Sequence, residues 1–330
     1  MGENLFLKHK IFLLSIFLIG NTIIVFPRGS GSYLAFLAVA VATIPAVFIT
    51  LILFKVEKEL IKTPFVLSLI LALFGVLVFI ICTRDYIDFV DVMRLPKTPK
   101  FLLTTLFVIV SVILGVSKRK TLYIFGLYSF FATAIIFVFV FILSIPKLDF
   151  NFLLLDNFDL KLFLNQTLTF FIHSFGQLVI MSFFLARNRE EPNKKVYIFG
   201  ILFGVVFMLI YILNIMLVLG GKVAQISVYP YSTLTSLVSF GDDFSRLDGF
   251  TYFVYFFSSI LKNAVCINVI LSFFNKKRTT ALILAVVLIL LCNFVWLQDL
   301  LHTDLANLII LIFELTFPFV LLASIKFLRK

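Results

Sequence analysis

Long apolar runs dominate the chain, and short basic clusters punctuate them. Ten runs are long enough, at 1.5 Å per residue, to cross about 30 Å of hydrocarbon as α-helix. They fall at about 9–28, 33–54, 64–84, 100–117, 121–145, 162–185, 196–219, 249–274, 279–297 and 304–326. The pattern predicts an all-α polytopic membrane protein, with residues 1–330 forming a single integral membrane domain.

Two of the runs are interrupted. The first, Ile11–Ser32, reads IFLLSIFLIGNTIIVFPRGSGS. Gly20, Asn21 and Thr22 stand at its middle, and it closes on Pro27 and a glycine–serine run. The sixth carries His173, Ser174, Phe175, Gly176 and Gln177 at mid-depth. Hydrocarbon offers no partner to a free backbone group, so a break is expected where it faces protein or lines a cavity. In carrier folds, broken helices near the midplane aim bare N–H and C=O groups at a solute. Interruptions in the first and sixth of ten spans predict a 5+5 inverted-repeat carrier fold with broken helices 1 and 6. No residue-level similarity joins the halves, so the repeat rests on placement alone.

Charge orients these spans. Eighteen lysines and arginines fall on the side of the N-terminus and nine on the other, with Lys262 inside a span. Basic residues in short loops mark the cytoplasmic side, so both termini are expected there. The net charge of +11 then reads as a topology signal, assisted by anionic lipid, and no nucleic-acid partner is expected. Two outer segments are long, Pro146–Lys161 and Gly220–Asp248. Ser232–Phe240 in the second is expected as a short helix over the mouth. A lid and a plain hydrophilic connector both fit such segments.

Composition agrees. Of 330 residues 62% are hydrophobic and mean hydropathy is +1.15. Only 14% are charged, against about a quarter in soluble domains, too few to wet a globule. Lys8, His9 and Lys10 before the first run imitate a secretory signal, but no clean A-x-A site follows, and the run is expected to stay as a span. Cys82, Cys266 and Cys292 lie in apolar runs and read as buried small hydrophobes. No Cys/His spacing suggests a metal, and no cofactor is expected. The chain holds no HExxH, GxSxG or P-loop, and an enzyme is not expected.

The candidate chemistry is therefore a binding site. Unwinding at Gly20, Asn21 and Thr22 frees N–H groups suited to a carboxylate. Close helix packing on small residues is the competing reading. Gly176 permits backbone irregularity, and Gln177 can pair with an ammonium or a carboxylate. His173 and Ser174 belong to the same stretch, and His173 also reads as an ordinary packing residue. Lys262, halfway along the eighth run, is the costliest residue in the chain. Glu314, mid-depth in the tenth, is the intramembrane carboxylate. Two readings stay open: a structural Lys262–Glu314 pair, or an ammonium beside the first break, standing where a sodium ion sits in sodium-coupled carriers.

Three stretches resemble one family. They are LIGNTIIVFP in the first run, LPKTPKFLLTTLFVIVSVILGVSKRK over Leu95–Lys120, and YPYSTLTSLVSFGDDFSRLD over Tyr229–Asp248. Their order and spacing resemble the GerAB-like spore germination permeases, the B subunits of germinant receptors in the amino acid–polyamine–organocation superfamily. The resemblance implies a germinant-sensing subunit that binds a small solute, often an amino acid, between broken helices 1 and 6. Gly20, Asn21 and Thr22 would meet the ligand's charged end, with Ser174, Gly176 and Gln177 across the pocket. It implies A and C subunits as partners and the spore inner membrane, or a bacterial cell membrane, as location. Gln177 stands where many relatives are expected to carry a carboxylate, and Tyr33-Leu34-Ala35 where a tryptophan is expected, so a divergent ligand is implied. A secondary transporter of amino acids or similar solutes is the alternative.

Overall fold

Helix is the only regular structure among the described residues. The structure is a computed structural model. It describes residues 2–20, 22–25, 33–60, 65–93, 95–153, 159–186, 193–238, 248–274, 278–298, 308–313, 315–317 and 319–320. The helices are α1 (Gly2–Ile19), α2 (Thr22–Val25), α3 (Tyr33–Leu60), α4 (Phe65–Met93), α5 (Lys100–Val116) and α6 (Arg119–Ser144). They continue with α7 (Leu160–Phe170), α8 (Leu178–Ala186), α9 (Lys194–Ile226), α10 (Pro230–Leu237), α11 (Asp248–Phe273) and α12 (Arg278–Gln298).

Among the described residues, seven helical stretches are long and apolar enough to cross a membrane. Three shorter apolar ones, Lys100–Val116, Thr279–Phe294 and Leu308–Phe317, fall on the fourth, ninth and tenth predicted runs. Large side chains face outward: Ile44, Ile113 and Ile135 are 70%, 68% and 68% exposed. Such a surface suits lipid and not water, so the chain is an all-α polytopic membrane protein.

α1 and α11 run through the middle. Leu13, Leu14, Ile16 and Phe17 of α1 are fully buried, as are Leu261–Ile267 of α11. Small residues on the neighbours let these helices come close, as expected where lipid gives no hydrophobic drive. A Cβ at Gly200 or Gly204 of α9 would meet Leu14 or Leu18, and one at Gly126 of α6 would meet Leu13. Gly115 of α5 lies against Ile267. Polar groups add fasteners: Ser15 donates to the Gly200 carbonyl (3.0 Å) and Asn263 to Thr83 (2.9 Å). Asn268 donates to the Gly115 carbonyl (2.9 Å).

Three helix limits differ from the predicted runs. The third run does not stop at residue 84, because α4 continues to Met93 through Arg84, Asp85, Asp88 and Asp91. These charges pair along and beside the helix: Arg84 with Asp88 (3.5 Å), Lys100 with Asp88 (3.0 Å) and Asp91 (3.2 Å). The seventh run passes Gly220 (φ 70°) and continues to Ile226, since glycine accommodates the kink. The short helix after it is Pro230–Leu237, not Ser232–Phe240, with proline in its first turn where no N–H partner is needed. Residues 239–247 lie outside the described set.

The segment after α6 is packed against the bundle. Two 3₁₀ turns, Ile145–Lys147 and Phe150–Leu153, lie over α9 and α10. The Asp149 N–H donates to the Leu217 carbonyl (2.9 Å), and Lys147 donates to the Leu237 carbonyl. The Phe152 ring fills the space beside Gly220.

Candidate functional site

The first run breaks at Gly20. Its N–H still bonds the Ile16 carbonyl (2.9 Å), but its φ is +28°, which L side chains rarely adopt. One turn of helix, α2, resumes at Thr22. Carbonyls around the break are taken by side chains. Thr22 and Ser174 both donate to Leu18 O (3.1 Å each), and Ser258 donates to Gly20 O (3.1 Å). Tyr211 donates to Ile23 O (2.7 Å). Three other helical runs therefore satisfy the opened backbone. Asn21 lies outside the described residues.

The sixth run is interrupted differently from the expected unwinding. α7 widens into a π turn over Phe171–Phe175, with the Gly176 N–H on the Phe171 carbonyl (2.7 Å). A turn at Gly176 and Gln177 then leads into α8. Widening keeps most backbone bonds while shifting the register of one turn, a geometry frequent at functional sites. A Cβ at Gly176 would lie 2.6 Å from Ile172 O and 2.9 Å from the Ile310 side chain. Gln177 is buried, and its Oε1 has no hydrogen-bond partner among the described residues.

Lys262 joins the two interruptions. Its ammonium donates to the His173 carbonyl (3.0 Å) and lies 5.4 Å from the Phe17 ring centroid. A Cβ at Gly20 would sit 2.6 Å from its Cδ and 3.1 Å from its Nζ. The lysine is fully buried and fills the space that the glycine leaves. Carbonyl dipole and ring face both favour the cation there. Glu314, the other half of the ion-pair reading, lies outside the described residues.

An aromatic cluster covers one side. Tyr211 and Tyr255 share a hydrogen bond (2.9 Å), and Tyr231 of α10 lies tilted against Tyr211 at 4.6 Å between centroids. Phe89 touches Tyr229, Tyr252 and Tyr255.

Gly20, Thr22, His173, Ser174 and Lys262 thus meet at one crossing. Gly176 faces Ile310, in keeping with a packing role, and Gln177 follows on the same turn. Ser258, Tyr211 and Tyr255 were not among the residues singled out from sequence. A tyrosine deep in an apolar run was the available signal for Tyr211. Cys82, Cys266 and Cys292 are free thiols and buried. Among the described residues no three His, Cys, Asp or Glu side chains gather as a metal site would require.

The site defines a class by its geometry: a helical membrane protein in which two interrupted helices meet on a buried ammonium. Neither the protein-family models nor the curated proteins compared with this chain match it.

Proposed function

We propose that this protein binds a small carboxylate-bearing solute, such as an amino acid, at the crossing of the two interrupted helices. The carrying observation is Lys262. A buried ammonium that donates to the His173 carbonyl, directly beside an opened backbone, places a positive charge where a solute anion could approach. In the arrangement described here the lysine side chain itself closes the gap beside Gly20. A solute carboxylate would draw the ammonium from the His173 carbonyl and bias the bundle toward a second arrangement.

The sensing form of this reading is a germinant-receptor B subunit in a spore inner membrane, signalling to A and C subunits. The three family-like stretches support it. Ten crossings with both termini cytoplasmic belong to the same reading, supported by the seven long and three shorter apolar helical stretches and by the basic loops. The 5+5 repeat is supported by interruptions in the first and sixth runs.

One observation favours transport as the second reading. Lys262 occupies the break as a tethered cation, in keeping with the place of a coupling ion in a carrier.

Binding is tested by thermal unfolding of the purified chain with amino acids, sugars and nucleosides. A carboxylate solute should raise the melting temperature in the native protein and not in Lys262→Met. Stabilisation that survives Lys262→Met would overturn the proposed site. Proteoliposome uptake separates the two forms: saturable accumulation supports the carrier, and binding without flux supports the sensor.

A further inference from the structure

A recess runs along the outside of the bundle where α3 packs on α9, and none of its lining residues belongs to the crossing of the interrupted helices. It encloses about 190 Å³. Thr43 and Val205 stand at one end, Phe54 and Lys194 at the other. Eleven residue rises on each helix make it about 16 Å long, the depth of one leaflet of a 30 Å core.

Its walls and its end differ in chemistry. Val47 and Leu51 of α3 and Ile198 and Leu202 of α9 form half-exposed rims over a buried floor of Thr50, Tyr197 and Ile201. The threonine hydroxyls are turned back on their own helix, Thr43 to Val39 O (2.7 Å) and Thr50 to Ala46 O (2.6 Å). Their protons are therefore committed before any guest arrives. At the far end the Lys194 ammonium stands 5.5 Å over the Phe54 ring, with exposed Lys195 next in sequence. The α3 sequence continues past Phe54 into Lys55 and Lys58.

An apolar channel of one-leaflet depth that ends in basic residues fits a lipid with an anionic head. A partner helix fits less well. Helices associate in lipid through small residues, and here the rims are valine, leucine and isoleucine. The small residues of α9, Gly200 and Gly204, already face α1. We propose that this recess holds one acyl chain of an anionic phospholipid, with its phosphate at the Lys194 ammonium.

The test uses the full chain, delipidated in detergent. Phosphatidylglycerol and phosphatidylcholine with the same acyl chains are added, and retention is read by native mass spectrometry and thermal unfolding. Phosphatidylglycerol should be retained as a single adduct and raise the melting temperature more than phosphatidylcholine. Lys194→Gln, at an exposed position that leaves folding intact, should weaken phosphatidylglycerol retention by about fivefold, the worth of one basic residue at an anionic surface. Leu51→Trp should fill the channel and reduce retention of both lipids. Equal retention of the two lipids, an unchanged preference in Lys194→Gln, or a dimer in which Leu51→Cys cross-links to its own copy would each overturn the proposal.

Discussion

The Ser174 hydroxyl donates to the carbonyl of Leu18, 156 residues earlier, and so ties the widened turn of one helix to the last intact turn of another. It also lies 3.3 Å from the Thr22 hydroxyl, which bonds the same carbonyl. Two interruptions that would each be costly alone share their polar groups.

Ser174→Ala should therefore lower stability by only about 0.6–1 kcal/mol, since Thr22 still serves the Leu18 carbonyl. Ser174→Ala combined with Thr22→Val should lower it by more than the sum of the single changes, because the carbonyl is then left bare. Denaturant titration of all three variants measures the difference.

Gly20→Ala should destabilise by about 1–3 kcal/mol, through the positive φ and through contact with the Lys262 side chain. In a Lys262→Ala background the same change should cost less, because the lysine contact is gone and only the backbone strain and the 2.9 Å approach to the Phe17 carbonyl remain. An equal cost in both backgrounds would show that the lysine does not fill this space.

Lys262→Met keeps the length and bulk of the side chain and removes the charge. The variant should insert and unfold at or above the native temperature, because a buried charge is replaced by a group that needs no partner. Lys262→Glu should fail to accumulate, since it would set a carboxylate against the His173 carbonyl. Expression in membranes followed by thermal unfolding tests both.

Tyr211→Phe should cost about 1–3 kcal/mol by leaving the Ile23 carbonyl and the Tyr255 hydroxyl without their shared partner. Tyr255→Phe should cost less, because Tyr211 keeps its bond to Ile23. A reversed order would place the main burden on the tyrosine pair instead of on the backbone.

The interruptions were legible because they break an apolar pattern with residues that have no place in it. Gly20 and Thr22, and His173 through Gln177, stand out against leucine and phenylalanine. Lys262 was legible by its cost. The groups that answer the opened backbone were not. Ser258 and Tyr211 bond to main-chain carbonyls, which carry no side-chain signature, so nothing in the sequence pairs them with Gly20 or Ile23. The end of α4 was misplaced for a related reason. Arg84 and Asp88 read as a loop when each is taken as an isolated charge, yet four residues apart they neutralise each other on one helical face. The sixth run was expected to unwind, but a π turn and an unwound segment need the same small and polar residues, and sequence alone does not separate them.

The placement of α1 sets an order of assembly. Ser15 meets its partner at Gly200, 185 residues later, and Gly20 meets Ser258, 238 residues later. A ribosome delivers α1 to the bilayer well before either partner exists. Until then its opened turn must borrow hydrogen bonds from water, from headgroups or from the insertion machinery. The docking of α9 and α11 onto α1 is thus a late step of assembly, and chains cut before Ser258 should be recognised and degraded as unfinished.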